Sequence, residues 1–225
     1  MAEMIDRFTR SRWLFEDNFE KLQNAKVLVC GCGGVGGACI EALYRSGVIN
    51  LTIIDCDTFE ITNQNRQLGS ENIGEKKVDV FKAKFENITP IFAKIDSDFV
   101  DKFDFSEFDF IVDAIDDINA KVMLANKIIT NNDNKTKFVS SMGGAKRLNP
   151  ELIKITNIWK TNTDPFARKF RYELKKSGFK GNFDVIFSTE LPKDMKNLGS
   201  FMGVTATFGL FLASYVVKKL IENRI

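Results

Sequence analysis

The sequence predicts an α/β fold, a doubly wound and mostly parallel Rossmann-like sheet with helices on both faces and a C-terminal extension. Three features carry that expectation. An apolar run at 27–30 breaks into Gly31, Gly33, Gly34, Gly36 and Gly37, and a helical stretch follows at 35–46. Gly47 stops this helix, and a second apolar run at 51–54 ends on Asp55. Downstream, further apolar runs alternate with segments of helical periodicity.

Taken in order, residues 4–24 read as a charged helix with Arg7, Arg10 and Arg12 close together. The strand, turn, helix, strand unit follows. A second helix is expected over 70–87, where Val78, Phe81, Phe85 and Ile88 recur at helical spacing and Pro90 ends the segment. Strands are expected at 91–95 and at 110–114, the latter buried on both faces. Asp117 is the expected N-cap of a helix reaching Ile129. A short strand at 138–141 ends at Gly143 and Gly144. Then come a strand at 152–158, a helix at 165–176, a strand at 185–187 and an apolar C-terminal helix. The stretch 198–217 carries no charge and is long enough to span a bilayer. A buried core helix is the favoured reading of it, because a helix apolar all round can fill a domain core. No repeat, low-complexity tract or linker interrupts 1–225, so the whole is read as one domain.

A chain of 225 residues, 44% hydrophobic and 28% charged, can bury a substantial core and is ordinary for a soluble protein. The formal net charge is only +2, so any nucleic-acid contact must come from a local patch. There is no histidine, which removes imidazole bases and ligands from every mechanism. Cys30, Cys32, Cys39 and Cys56 do not form paired CxxC motifs, so no zinc is expected. No signal sequence is read before Asp6, and a cytoplasmic location with reduced thiols is expected. Cys32, in an electropositive turn, is a candidate reactive thiol; small buried side chains are the plainer reading.

Gly31, Gly33 and Gly36 satisfy G-x-G-x-x-G, a weak signal alone that also fits NAD-binding enzymes. Such a turn lets backbone N–H groups approach an anion at a helix N-terminus. Asp55 sits where these units place a carboxylate on a ribose hydroxyl. Asn63, Asn65, Arg66 and Gln67 follow the second strand, Lys76 and Lys77 open a helix, and Asp113 and Asp116 lie at the end of a later strand. Strand ends of this kind converge on one crevice. Two carboxylates, an arginine and a lysine suit a triphosphate with magnesium better than a dinucleotide. Each residue alone is more often simply solvated; five together at successive strand ends favour the nucleotide site.

The motifs GCGGVG, DCDTFEITNQNRQ, GEKK and VDAID resemble the ubiquitin-activating-enzyme-like adenylyltransferases nearly end to end. Within that superfamily, DRFTRSRWLF, DPFARKFRYELKKSG and VTATFG are most similar to the tRNA threonylcarbamoyladenosine dehydratases. The resemblance implies ATP as cofactor, with Asp55 on the ribose, Asn63, Arg66 and Lys77 on the phosphates, and Asp116 on Mg2+. Gly31, Gly33, Gly34, Gly36, Asp57 and Asn65 complete the implied cofactor-binding set. Arg10 matches an arginine that reaches into the partner subunit's site, which implies a homodimer; Arg10, Arg66, Lys77 and Asp116 are thus the implied catalytic set. A monovalent cation (K+ or Na+) and a cysteine-desulfurase or sulfur-acceptor partner are further expectations of the same origin. The chain lacks the paired CxxC motifs common in the thiamine- and molybdopterin-pathway members. It has no cysteine after Cys56, and Val185 and Ile186 stand where a thiol can occur in relatives, so no thioester step is expected.

The helix at 165–176 has Asp164 as N-cap, Pro165 at its first position and Gly178 as its stop. Phe166, Phe170 and Leu174 make an apolar stripe; Arg168, Lys169, Arg171, Lys175 and Lys176 lie on the other faces. Such a helix can pack on a domain and offer cations to a phosphate backbone, while a solvated basic face is the plainer alternative. The resemblance directs Arg168, Arg171, Lys175 and Lys176 to tRNA. On this reading 27–145 holds the ATP site, 146–198 faces tRNA and 199–222 is the apolar helix. The implied reaction is ATP-dependent dehydration of N6-threonylcarbamoyladenosine through a carboxyl-adenylate. Adenylation of the C-terminal glycine of a ubiquitin-like or sulfur-carrier protein shares the ATP site but not the basic helix. An NAD-dependent oxidoreductase leaves Arg66, Lys77 and Asp116 unexplained, and a non-catalytic RNA-binding module leaves the ATP constellation unexplained.

Overall fold

The computed structural model describes residues 5–130 and 136–222. The N-terminal helical stretch is split into α1 (Thr9–Phe15) and α2 (Phe19–Asn24). Glu16, between them, has a φ of 48°, which breaks the helical path. Met4, the start of the expected helix, lies outside the described residues. β1 (Lys26–Cys30) sends Val27 and Val29 to one face of the sheet and Leu28 and Cys30 to the other, all fully buried. α3 (Gly34–Ser46) ends at Gly47, whose φ of 110° gives a left-handed stop, and leads into β2 (Asn50–Asp55).

α4 spans only Lys77–Lys84, not 70–87. The segment before it pairs with the loop after β2 instead. Phe59 N–H donates to Glu75 O (2.9 Å), Gly74 N–H to Phe59 O (2.8 Å) and Lys77 N–H to Asp57 O (3.1 Å). Backbone groups committed across a loop are not free to build a helix. β3 (Thr89–Phe92) includes Pro90 and begins before the expected strand. It is an edge strand, where a missing N–H is tolerated. α5 (Ser97–Lys102), absent from the sequence-based expectation, is capped by Asp96, whose carboxylate accepts from Phe99 N–H at 3.0 Å.

β4 (Phe110–Asp113) precedes α6 (Ile118–Ala125), which Asp117 caps and which continues as a π-helical turn at Asn126–Thr130. β5 (Lys137–Ser141), β6 (Ile153–Asn157), α7 (Pro165–Lys176), β7 (Asp184–Ser188) and α8 (Met202–Ile221) follow. The seven strands run in the order β3-β2-β1-β4-β5-β7-β6, and only the β6–β7 pairing is antiparallel. The chain moves outward from β1 in both directions, which opens a crevice at the carboxyl ends of β1 and β4.

One core lies between the sheet and α2, α3, α4 and α8; the other lies under α5, α6 and α7. α8 buries Val204, Phe208, Leu212 and Val216 completely. It approaches α3 closely at Gly209, where an added Cβ would lie 2.3 Å from Val35 O. α8 has the length and apolarity of a membrane span, but its inner face is part of the core.

Candidate active site

A cleft of about 680 Å³ opens at the carboxyl ends of β1, β2 and β4. Its floor is the turn between β1 and α3. Two glycines there are sterically required. Gly31 has a φ of 98°, and a Cβ would lie 2.8 Å from Ala114 O; a Cβ on Gly36 would lie 1.8 Å from Gly31 O. Gly33, the N-cap of α3, has only Gln67 Nε2 near its Cβ position, at 3.8 Å. Space is thus left above the α3 N-terminus, where unpaired N–H groups favour an anion.

Asp55 ends β2 at the cleft wall. Its carboxylate accepts from Cys32 N–H (2.6 Å) and Asp57 N–H (2.8 Å). Burial nevertheless pushes its pKa above the usual carboxylate value. Lys77, buried at the start of α4, donates to Asp57 Oδ2 at 2.9 Å. Arg66 Nη1 donates to Thr62 O and to Asn65 Oδ1, both at 2.8 Å. Asn63 is buried, and its Oδ1 accepts from Glu60 N–H at 3.1 Å, bracing the turn that carries Arg66. Asp116 enters from the β4–α6 loop, exposed and without a hydrogen bond or ion pair to another described residue.

The cleft therefore gathers Gly31, Gly33, Gly34, Asp55, Asp57, Asn63, Arg66, Lys77 and Asp116. Gly36 lies beneath the turn rather than on the lining. Asn65 also stands behind it, donating to Ser200 O at 3.0 Å and orienting Arg66 from the side. Asp113 does not reach the cleft. It is fully buried and paired with Lys121 at 2.9 Å, because β4 carries its side chain to the sheet face covered by α5, α6 and α7. Cys32 is buried, and burial holds its thiol well above the ordinary value, which argues against a reactive thiolate. Asp55, Cys56 and Asp57 bring ligand atoms within 4.8 Å of one another; Asp55 and Asp57 already bond to the partners above, so this cluster needs no ion. The free carboxylate of Asp116, beside the cations that would take phosphates, has the oxygen chemistry that Mg2+ requires.

A model of the ThiF family matches residues 7–223. The chain belongs to the ThiF family. It is 37% identical over 199 residues to the tRNA threonylcarbamoyladenosine dehydratase of Bacillus subtilis, covering 84% of this chain and 77% of that one. A crystal structure of the E. coli tRNA N6-threonylcarbamoyladenosine dehydratase in complex with AMP superimposes with a TM-score of 0.89 at 31% identity, covering 96% of this chain and 94% of the other. The same E. coli enzyme in complex with ATP gives 0.88 at 31% identity, with 96% and 93% covered.

In this ThiF-family chain, Thr205 and Gln67 are among the cleft residues that received no role from the sequence. Thr205, near the start of α8, lines the cleft, and its Oγ1 stands 3.3 Å from where a Cβ on Gly34 would lie. It lies within VTATFG, so that motif was its signal. Gln67 is buried, lines the cleft and has an Oε1 without a hydrogen-bond partner among the described residues; nothing in its spacing separates it from a solvated loop residue. Arg10 is exposed on α1, away from the cleft lining of its own chain. On α7, Asp164 caps the helix through Phe166 N–H (2.9 Å) and Ala167 N–H (3.2 Å), while Ala167, Phe170 and Leu174 are fully buried. Arg168, Lys175 and Lys176 are exposed. Lys175 lies 5.8 Å from the Trp159 ring centre, and Lys176 is 3.8 Å from Glu173. Arg171 is only partly exposed and donates to Thr161 Oγ1, so it is less available than the sequence suggested.

Proposed function

We propose that this protein catalyses the ATP-dependent cyclising dehydration of N6-threonylcarbamoyladenosine in the tRNA anticodon loop. The observation that carries this reading is one cleft joining a phosphate-binding turn, Asp55, Arg66, Lys77 and Asp116, in a chain that resembles the dehydratases over nearly its whole length. Ile54, Ala93, Ile95 and Ile115 give the cleft an apolar wall suited to adenine. Asp55 accepts the ribose hydroxyls. The N–H groups of the glycine turn, Arg66 and Lys77 take the phosphates, with Asn63 and Asn65 fixing the turn behind Arg66. Asp116 would hold Mg2+, which neutralises charge on the departing pyrophosphate.

In the first step the threonyl carboxylate attacks the α-phosphorus, and the bond to pyrophosphate breaks. In the second, the neighbouring carbamoyl group attacks the activated carbonyl carbon and releases its proton to solvent, and AMP leaves, carrying away the carboxyl oxygen. The net change is loss of one water from the nucleoside. No enzyme nucleophile is needed, which suits a site without histidine, whose exposed cysteine, Cys56, is kept a thiol by partial burial and by the neighbouring Asp57 and Asp55 carboxylates. The protein contributes position and preorganised charge.

The exposed cations Arg168, Lys175 and Lys176 on α7 dock tRNA phosphates. A homodimer in which Arg10 serves the partner's cleft, a cytoplasmic location, a monovalent cation and a sulfur-transfer partner belong to the same reading. Exchange of labelled pyrophosphate into ATP tests it. Exchange should require tRNA bearing threonylcarbamoyladenosine; exchange with a carrier protein ending in glycine, and none with tRNA, would replace this reading.

A further inference from the structure

Asp116 raises a question of geometry. Its carboxylate has no hydrogen bond or ion pair among the described residues, so its position is set by the backbone of the β4–α6 loop. The N-terminal end of that loop rests on a buried ionic cluster. Lys121, on α6, and Asp113, at the end of β4, are both 0% exposed. Lys121 Nζ donates to Asp113 Oδ2 (2.9 Å), Ser140 Oγ (3.0 Å) and Ser141 O (2.8 Å). Ser140 Oγ in turn donates to Asp113 Oδ2 at 2.6 Å. The other carboxylate oxygen, Oδ1, accepts from Ile115 N–H at 3.1 Å. The ammonium also lies 5.8 Å from the Phe166 ring centre and 5.9 Å from that of Phe170, so aromatic faces of α7 close the remaining side.

A buried ion pair is a poor way to gain stability, since well-packed apolar residues of similar volume often serve as well or better. Apolar residues could not bond Ile115 N–H, the amide next to Asp116. Nor could they join the ends of β4 and β5 to α6 with directional bonds. The loop is held at three further points. Ala114 N–H donates to Cys30 O (2.8 Å), Ala114 O lies against Gly31, and Asp117 caps α6 through Asn119 N–H (2.7 Å) and Ala120 N–H (3.2 Å).

We infer that Lys121, acting with Ser140 through Asp113, is a positioning residue that fixes the Ala114–Ile115 backbone and so holds the Asp116 carboxylate at the metal and phosphate position. The inference rests on the proposed metal role of Asp116. Partners that orient a metal ligand from behind commonly contribute about 10- to 100-fold to metal affinity.

The test measures Mn2+ binding by electron paramagnetic resonance, with a non-hydrolysable ATP analogue present. The variants are Lys121→Met with Asp113→Leu, Ser140→Ala, and Asp116→Ala. The paired variant removes both charges together, so neither is left buried alone. It should weaken Mn2+ binding about tenfold while leaving metal-free nucleotide affinity unchanged. Ser140→Ala, which removes one hydroxyl and no charge, should weaken Mn2+ binding about threefold and reads the same role should the paired variant not fold. Wild-type Mn2+ affinity in folded Ser140→Ala, or in the folded paired variant, overturns the inference. If Asp116→Ala itself leaves Mn2+ binding unchanged, the metal role of Asp116 fails first and the inference falls with it. If Asp116→Ala weakens Mn2+ binding and the other variants do not, only the positioning role fails.

Discussion

The cleft and the outer face of α7 both present cations, but they hold them differently. In the cleft, Lys77 is tied to Asp57 at 2.9 Å, and Arg66 is tied to Thr62 O and Asn65 Oδ1 at 2.8 Å each. Asp55 accepts two backbone N–H groups, and the glycine turn beneath is packed so closely that a Cβ at Gly31 or Gly36 would strike Ala114 or Gly31. On α7 the buried stripe of Ala167, Phe170 and Leu174 fixes the helix, while Arg168, Lys175 and Lys176 stand at the surface. A site that stabilises charge at a reacting atom needs groups already in place. A surface that binds a polyanion can work with mobile cations whose effects accumulate. The first should fail at single substitutions; the second should decline by degrees.

The largest expected effect is in the cleft. Lys77→Ala, Arg66→Ala and Asp116→Ala should each lower AMP formation about 10²- to 10³-fold, or about 2.7–4 kcal/mol, with the protein still folded. Single-turnover assays beside melting curves measure this, and near-normal turnover in a folded variant removes that residue from the site. The floor of the cleft should separate by position. Gly36→Ala should cost about 1–3 kcal/mol of stability, because its Cβ would strike Gly31 O. Gly33→Ala should fold normally and lose ATP binding, because its Cβ would project into the open cleft. Thermal melts with and without ATP distinguish the two.

On α7, Arg168→Ala with Lys175→Ala should weaken tRNA binding and reduce its salt dependence by about one unit of slope for each phosphate no longer neutralised. ATP affinity should not change; filter binding over a salt series measures both. Arg171→Ala should have the smallest effect. It forfeits a hydrogen bond to Thr161, a loss of about 0.5–1.5 kcal/mol of stability, and should leave the salt slope nearly unaltered. A drop of a full unit of slope at Arg171 would mean that it leaves Thr161 to meet the RNA.

How far the sequence reveals each region follows from the range of the forces involved. The bounds of α7 are legible to the residue because Asp164, Pro165 and Gly178 act locally. The glycine turn and the strand ends are legible because they too are sequence-local. The helix expected at 70–87 shortens to α4 because residues 74–77 bond to 57–59, a partner that periodicity does not reveal. Pro90 reads as a helix stop, yet it sits within an edge strand. Asp113 and Asp116 look equivalent in VDAID, but strand alternation sends Asp113 into the core toward Lys121, while Asp116, past the end of the strand, lies in the cleft. Arg171 looks like its neighbours until Thr161 folds beneath it. These last distinctions depend on which side chains meet across the sheet, and spacing along the chain does not encode them.

One measurement bears on the central claim most directly. The protein, ATP and Mg2+ are incubated with tRNA bearing N6-threonylcarbamoyladenosine, and the nucleosides are then examined by mass spectrometry while AMP is counted. The account predicts loss of one water from the modified nucleoside, one AMP formed for each conversion, and both reduced about 10²- to 10³-fold with Asp116→Ala. An unchanged nucleoside, with AMP formed only when a carrier protein ending in glycine is added, would contradict it.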